Sequence, residues 1–285
     1  MRQQIRTCFS GVVRLLMALC VVLATGAWMA WLHGPSPVTA LVLCALALAA
    51  LLAWSIYRRV HVLHGHAQDH ADAAAEAERH YFGVLEEVVR AIEGRDRFSA
   101  GRSDRISRLC VQMARSVGLE DARAELLGMV ARVHDIGLLA VPDSVLGKRT
   151  GLSGSEHADI QRHCERGERI LRPLTFLSPV LDAVRHHHER MNGTGYPDRL
   201  SGEAIGLCAR ILAVADSYDA MTHDRPYRRA LTSRQAVAEL IRCQSTGYDP
   251  ICVRALAEAV HATDLVDESA APAADSQAAG AFQPV

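Results

Sequence analysis

The sequence lacks any excess of charge: 31 Lys and Arg stand against 32 Asp and Glu, a formal net charge of −1. No global field therefore points to a nucleic acid polymer as partner. It also lacks paired cysteines. Its eight are scattered without a CxxC, which fits a reducing compartment and argues against a disulfide framework. Runs of alternating apolar and polar residues are missing between Ile92 and His261, where Gly and Pro fall only at turns. That absence argues against a sheet and leaves an all-α domain. Phenylalanine is scarce, at five, whereas histidine reaches fourteen, many beside Asp or another His. The skew points to metal. A chain of 285 residues has room for one main domain and accessory segments.

The accessory segments come first. Residues 15–32 and 38–56 are free of charge, and each approaches the roughly 20 residues that cross a bilayer. Only HGPSP separates them, so the spacing predicts a two-helix transmembrane hairpin over residues 1–57. Arg2, Arg6 and Arg14 precede the first span and Arg58 and Arg59 follow the second. This bias puts both ends in the cytoplasm of a multi-pass inner-membrane protein. Residues 58–92 form an Ala/Glu-rich juxtamembrane linker helix, with Val84, Leu85, Val88, Val89 and Ile92 at helical spacing. It is a candidate for pairing in a homodimer. After residue 264 the chain is poor in large apolar residues, and 265–285 is expected to be a disordered tail.

Residues 93–264 carry the chemistry. His134-Asp135, His163, His187-His188-Glu189, Asp216 and Asp219 each lie in or at the end of a helical segment. Neutral imidazoles and carboxylates on several helices can enclose metal ions, and one carboxylate can bridge two of them. Singly, each group has an ordinary structural explanation; the combination carries the weight.

Four segments appear in order: VHDIGLLAVPDSVL, SGSEHADIQRHCERGERIL, VRHHHERMNGTGYP and ARILAVADSYDAMTHDRPYR. Together they resemble the HD-GYP family, a branch of the HD phosphohydrolases. The resemblance implies an HD-type helical bundle around two divalent ions, iron or manganese, that hydrolyses the bacterial messenger cyclic di-GMP to linear pGpG or GMP. It assigns one ion to Asp135, His163, His187 and His188, and the other to His134, Asp135 and Asp216, with Asp135 bridging. His186 is excluded by the family's HHE register. A hydroxide between two cations is the implied nucleophile, so His134 and Asp135 sit at the catalytic centre. Gly195-Tyr196-Pro197 corresponds to a surface loop near the substrate that is linked to contacts with GGDEF proteins. Arg225 stands in a basic cluster suited to phosphate.

Three positions depart from the pattern. Arg102 replaces the first metal-ligating histidine, Leu138 replaces a phosphate-facing lysine, and Asn192 replaces an aspartate. Arg cannot ligate, and its fixed charge repels an ion. The second metal position keeps three ligands, enough for an open site or for a centre with only one ion bound. Two readings follow: a cyclic di-GMP phosphodiesterase, or a related cyclic dinucleotide enzyme, against a degenerate domain that binds metal, nucleotide or a protein and signals without turnover.

Overall fold

The computed structural model describes residues 17–18, 20–28, 31–32, 37–94, 100–148, 151–224, 229–244 and 246–270, with side chains unspecified from 262 onward. Its contacts divide the chain into two units, Met1–Glu76 and Ala77–Val285.

Helix α1 spans Pro37–Glu93 and is 57 residues long. Proline suits its first position, where a helix has no use for the missing N–H. Its most apolar stretch has a mean hydropathy of 2.3 and no buried residue, and by length and composition the helix can cross a membrane. The first predicted span lies partly outside the described residues; those of it that are described are helical. The boundary read at residue 57 falls inside this helix, which runs on without a break to Glu93. No proline separates Ile56 from Glu93, and the backbone hydrogen-bond ladder continues whether side chains are apolar or charged.

In the second unit, the last turns of α1 belong to the bundle. Phe82, Leu85 and Val89 are buried in the core and Val88 packs against it, while Val84 and Ile92 face outward. Phe82 meets Phe176 edge-on at 5.9 Å, and Glu86 pairs with Arg132 at 3.1 Å. Phe82→Ala is accordingly expected to destabilise this unit by about 3 kcal/mol through lost burial and a cavity. Urea denaturation of the full chain checks this, with a lower midpoint at unchanged slope.

Helix α2 (Arg102–Ser116) buries Ile106, Cys110, Met113 and Ala114 along one stripe and lies on α3 (Asp121–Val133). The stripe follows the 3.6-residue period. A 3-10 turn at Ile136–Ala140 leads to short α4 (Asp143–Leu146), then α5 (Gly154–Gln161) and α6 (His163–Leu171). Ser153 and Glu156 form a capping box that starts α5. Helices α7 (Asp182–His186), α8 (Leu207–Thr222), α9 (Ser233–Arg242) and α10 (Pro250–Ala270) follow. Helix α8 is the axis of the bundle: from Cys208 to Asp219 it is buried on nearly every side, with its polar Asp216 and Asp219 buried against ion-pair partners. Among the described residues there are no strands, only isolated bridges at Asn192–Ser201 and Gln244–Tyr248.

Helix α10 continues through Ala270, six residues into the segment read as a disordered tail. Residues 265–270 contain no Gly or Pro, and helix stops only need appear by Pro272. Residues 271–285 lie outside the described residues.

Candidate metal centre

Three histidines are oriented in the same way. His134 follows the last residue of α3, His163 opens α6 and His187 follows α7. Each points Nδ1 at the carbonyl three residues earlier: Ala131 at 2.8 Å, Ile160 at 2.6 Å and Val184 at 2.8 Å. A carbonyl only accepts, so each Nδ1 carries the proton and each Nε2 is free to ligate. All three rings are buried.

The Nε2 atoms converge on Asp135. Its Oδ2 lies 3.2 Å from His134 Nε2, while its Oδ1 lies 3.5 Å from His163 Nε2 and 3.9 Å from His187 Nε2. The two carboxylate oxygens therefore face different histidines, as a bridging carboxylate requires. His163 Nε2 and His187 Nε2 stand 3.3 Å apart; with both Nδ1 atoms protonated, two lone pairs face each other and call for a cation between them. His134 Nε2 is buried with only the Asp135 and Asp216 carboxylates beside it, at 3.2 and 3.5 Å. These observations fit a metal ion. The donor atoms of His163, Cys164, His187 and His188 lie within 4.8 Å of one another, as do those of His134, Asp135 and His187.

The electrostatics agree. Burial pushes His188 down to about 4 and holds His187 well below the ordinary imidazole range, with neighbouring histidines adding to the shift of His187. Both are neutral donors at pH 7. Burial also works against the His134 imidazolium, but Asp135 and Asp216 reverse this and raise it to about 10. A proton on His134 thus serves as a cation between the two carboxylates, at 3.2 Å from Asp135 and 3.5 Å from Asp216.

Close backbone approach brings these segments together. A Cβ on Gly137 would overlap the His163 carbonyl and stand 2.7 Å from Gly167 N, so only glycine lets the turn after Asp135 lie against α6. Gly195 is similar: its Cβ would lie 2.5 Å from Arg190 N and 2.6 Å from the His188 carbonyl. The loop that follows is pinned at Glu189, which is buried and accepts from Asp198 N at 2.7 Å and Leu200 N at 3.1 Å. Arg185 grips the Asp198 carboxylate through Nε at 2.6 Å and Nη2 at 2.8 Å. Tyr196 is thereby stacked on His188 at 4.9 Å. Burial pushes its phenol up, keeping it protonated and able to donate. Pro197 and Tyr196 also line an open groove of about 560 Å³ with Arg162, Glu165 and Arg199.

His186 turns away and pairs with Asp198 at 2.9 Å. Asn192 accepts from Thr194 N at 3.1 Å and Oγ1 at 2.7 Å, so its carbonyl oxygen shapes the turn as an aspartate oxygen would. Asp216, on α8, lies 3.5 Å from His134 Nε2 through Oδ1. That same oxygen accepts from Arg102 Nη2. The Arg102 side chain is 15% exposed, and its Nη1 lies 3.5 Å from Asp219 Oδ2. Stripping one partner from such a buried pair costs about 3–5 kcal/mol. Arg225 lies outside the described residues.

Sequence reasoning missed three contributors. Cys164 Sγ lies 3.5 Å from His163 Nε2; its place beside a candidate ligand was the only signal. Arg105 holds Asp219 through Nε at 2.7 Å, a pairing across 114 positions that no local pattern marks. Arg190 sits over the Tyr248 ring at 4.8 Å, and its Nη1 is buried with no hydrogen-bond partner among the described residues.

Comparison with known proteins accords with this geometry. The cyclic di-GMP phosphodiesterase response regulator RpfG of Xanthomonas campestris pv. campestris is 39% identical over 183 residues, which cover 64% of this chain and 48% of that protein. The cyclic di-GMP phosphodiesterase PA4108 of Pseudomonas aeruginosa is 34% identical over 241 residues, 80% of this chain and 57% of that protein. The chain thus spans about half the length of these relatives. A cyclic GMP-AMP specific phosphodiesterase of V. cholerae (V-cGAP3) shares the fold, with a TM-score of 0.50 at 19% identity over 67% of this chain and 51% of that one. The family model for the HD domain matches residues 87–251, more than half of the chain and the whole histidine and aspartate cluster: this chain belongs to the HD domain family.

Proposed function

We propose that the chain is a membrane-anchored, metal-dependent phosphodiesterase of the HD-GYP kind that hydrolyses cyclic di-GMP to linear pGpG or GMP. The observation that carries this reading is the set of Nε2 atoms of His134, His163 and His187 turned onto the two oxygens of Asp135. The names of the relatives RpfG and PA4108 supply the substrate. A second cyclic dinucleotide, cGAMP, enters through the name of V-cGAP3.

His163, His187, His188 and Asp135 would hold iron or manganese, a choice that suits mixed imidazole and carboxylate donors. A metal held there would lower the pKa of a bound water and offset charge on the phosphodiester. Asp135 and the three backbone-anchored imidazoles fix the donor geometry. Tyr196, stacked on His188, places a phenolic O–H donor at the mouth of the site, and Arg190 offers a guanidinium for a phosphate oxygen. The loop of Gly195, Tyr196 and Pro197, beside the groove, is the surface we assign to contacts with GGDEF proteins. The exposed apolar face of α1, with Leu41, Leu48 and Leu51, supports anchoring in the inner membrane by a hairpin with the bundle in the cytoplasm. Val60 and Leu63, exposed on α1, support pairing in a homodimer.

The ion pair of Arg102 with Asp216 favours a second reading, a degenerate domain that binds metal and nucleotide without turnover. One assay separates the two. The full chain in detergent micelles, loaded anaerobically with Mn²⁺ or Fe²⁺, is incubated with cyclic di-GMP or 3′3′-cGAMP and its products are resolved by chromatography. The enzyme reading predicts a linear dinucleotide that vanishes on chelation. Folded, metal-loaded protein that leaves both substrates intact would establish the degenerate reading.

A further inference from the structure

We propose that the guanidinium of Arg102 fills the second cation position, so that this chain holds one metal ion instead of two. The inference rests on the metal-dependent reading above and specifies it.

Arg102 opens α2 and its side chain is largely buried beside α8. Its Nη2 donates to Asp216 Oδ1, the same oxygen that lies 3.5 Å from His134 Nε2. An ion shared by His134 and Asp216 would therefore stand against a fixed positive charge, and like charges at this range disfavour each other strongly in a buried site. The guanidinium is itself fastened. Asp219 Oδ2 lies 3.5 Å from Nη1, and the same carboxylate is held by Arg105, through Nε to Oδ1 at 2.7 Å and Nη2 to Oδ2 at 3.3 Å. Asp216 and Asp219 are three residues apart on α8, hence on one face, and together they form a carboxylate cradle for Arg102.

The other position has no such competitor. Asp135 makes ion pairs with His134, His163 and His187 alone among the described residues. Its Oδ1 faces His163 and His187, with His188 and Cys164 close by. A two-metal centre needs two positive charges across the reacting phosphate; here one would be an ion and the other an arginine that cannot lose its proton.

The test counts ions. Full chain in detergent micelles is loaded anaerobically with Mn²⁺, desalted, and measured for metal per chain by mass spectrometry and for spin coupling by electron paramagnetic resonance. Wild type is expected to hold one Mn²⁺ with an uncoupled six-line signal. Asp216→Asn, which leaves Arg102 an amide oxygen to bond, is expected to hold one as well. Arg102→His, which removes the charge and adds a nitrogen donor, is expected to hold two with a coupled spectrum. Two ions in wild type, or loss of an ion in Asp216→Asn, would overturn the proposal, as would a folded Arg102→His that still binds one. Wild type that binds none would instead sink the metal-dependent reading on which it rests.

Discussion

Asp135→Asn is expected to lower turnover of cyclic di-GMP by about a thousandfold or more and to strip most of the bound metal. An ion that stabilises developing charge contributes several kcal/mol to the transition state, and each 1.36 kcal/mol is tenfold in rate. Asp135 presents one oxygen to His134 and the other to His163 and His187. Asparagine keeps the shape but gives up the charge and one of the two acceptors, and it turns an amide N–H toward lone pairs meant for metal. The fold should hardly notice, because the Asp135 side chain is 29% exposed and precedes a 3-10 turn instead of filling the core. Steady-state rates, metal content and far-ultraviolet circular dichroism on one preparation check this. Full activity with unchanged metal content would place the chemistry elsewhere.

Gly137→Ala should act through the backbone. The added methyl would overlap the His163 carbonyl and crowd Gly167 N, neither of which is the end of a flexible side chain. The turn must then move away from α6, at a cost of about 3 kcal/mol or more for overpacking. With about 2–4 °C lost per kcal/mol in a domain of this size, the melting temperature should fall by ~10 °C. The same movement carries Asp135 away from His163, so metal affinity should fall as well. Thermal denaturation of the full chain with and without Mn²⁺ separates the effects: a variant that melts like wild type, with its metal-induced stabilisation intact, would show that the close approach is unimportant.

The cluster could be anticipated because each motif pairs residues that are near in sequence. His134 adjoins Asp135, His187 adjoins His188, and the anchoring carbonyls lie three residues before each ring. What could not be read was the pairing of distant charges. Arg102 reads as a lost ligand, yet its grip on Asp216 spans 114 positions and has no periodic signature. Glu189 shows the same limit from the other side: it lies in the HHE segment but spends its carboxylate on the amides of Asp198 and Leu200. Helix ends were less legible than the cluster. The shift from apolar to Ala/Glu-rich sequence after residue 57 suggested a boundary, and the Ala-rich run after 264 suggested disorder. Helix α1 crosses the first and α10 enters the second, since neither Ala nor Glu interrupts a helix.

Departure from the family pattern is therefore graded by what replaces the lost group. Asn192 retains the acceptor that its turn uses. Arg102 supplies a permanent charge where a neutral ligand is expected, and the surrounding carboxylates of Asp216 and Asp219 are committed to it.

The most direct test of this account is a titration of metal-free full chain with Mn²⁺ under anaerobic conditions, following hydrolysis of cyclic di-GMP at each addition. No hydrolysis is expected at the start, then a rise in proportion to bound metal and a plateau at one equivalent per chain. Hydrolysis by metal-free protein, or a plateau reached only at two equivalents, would contradict it.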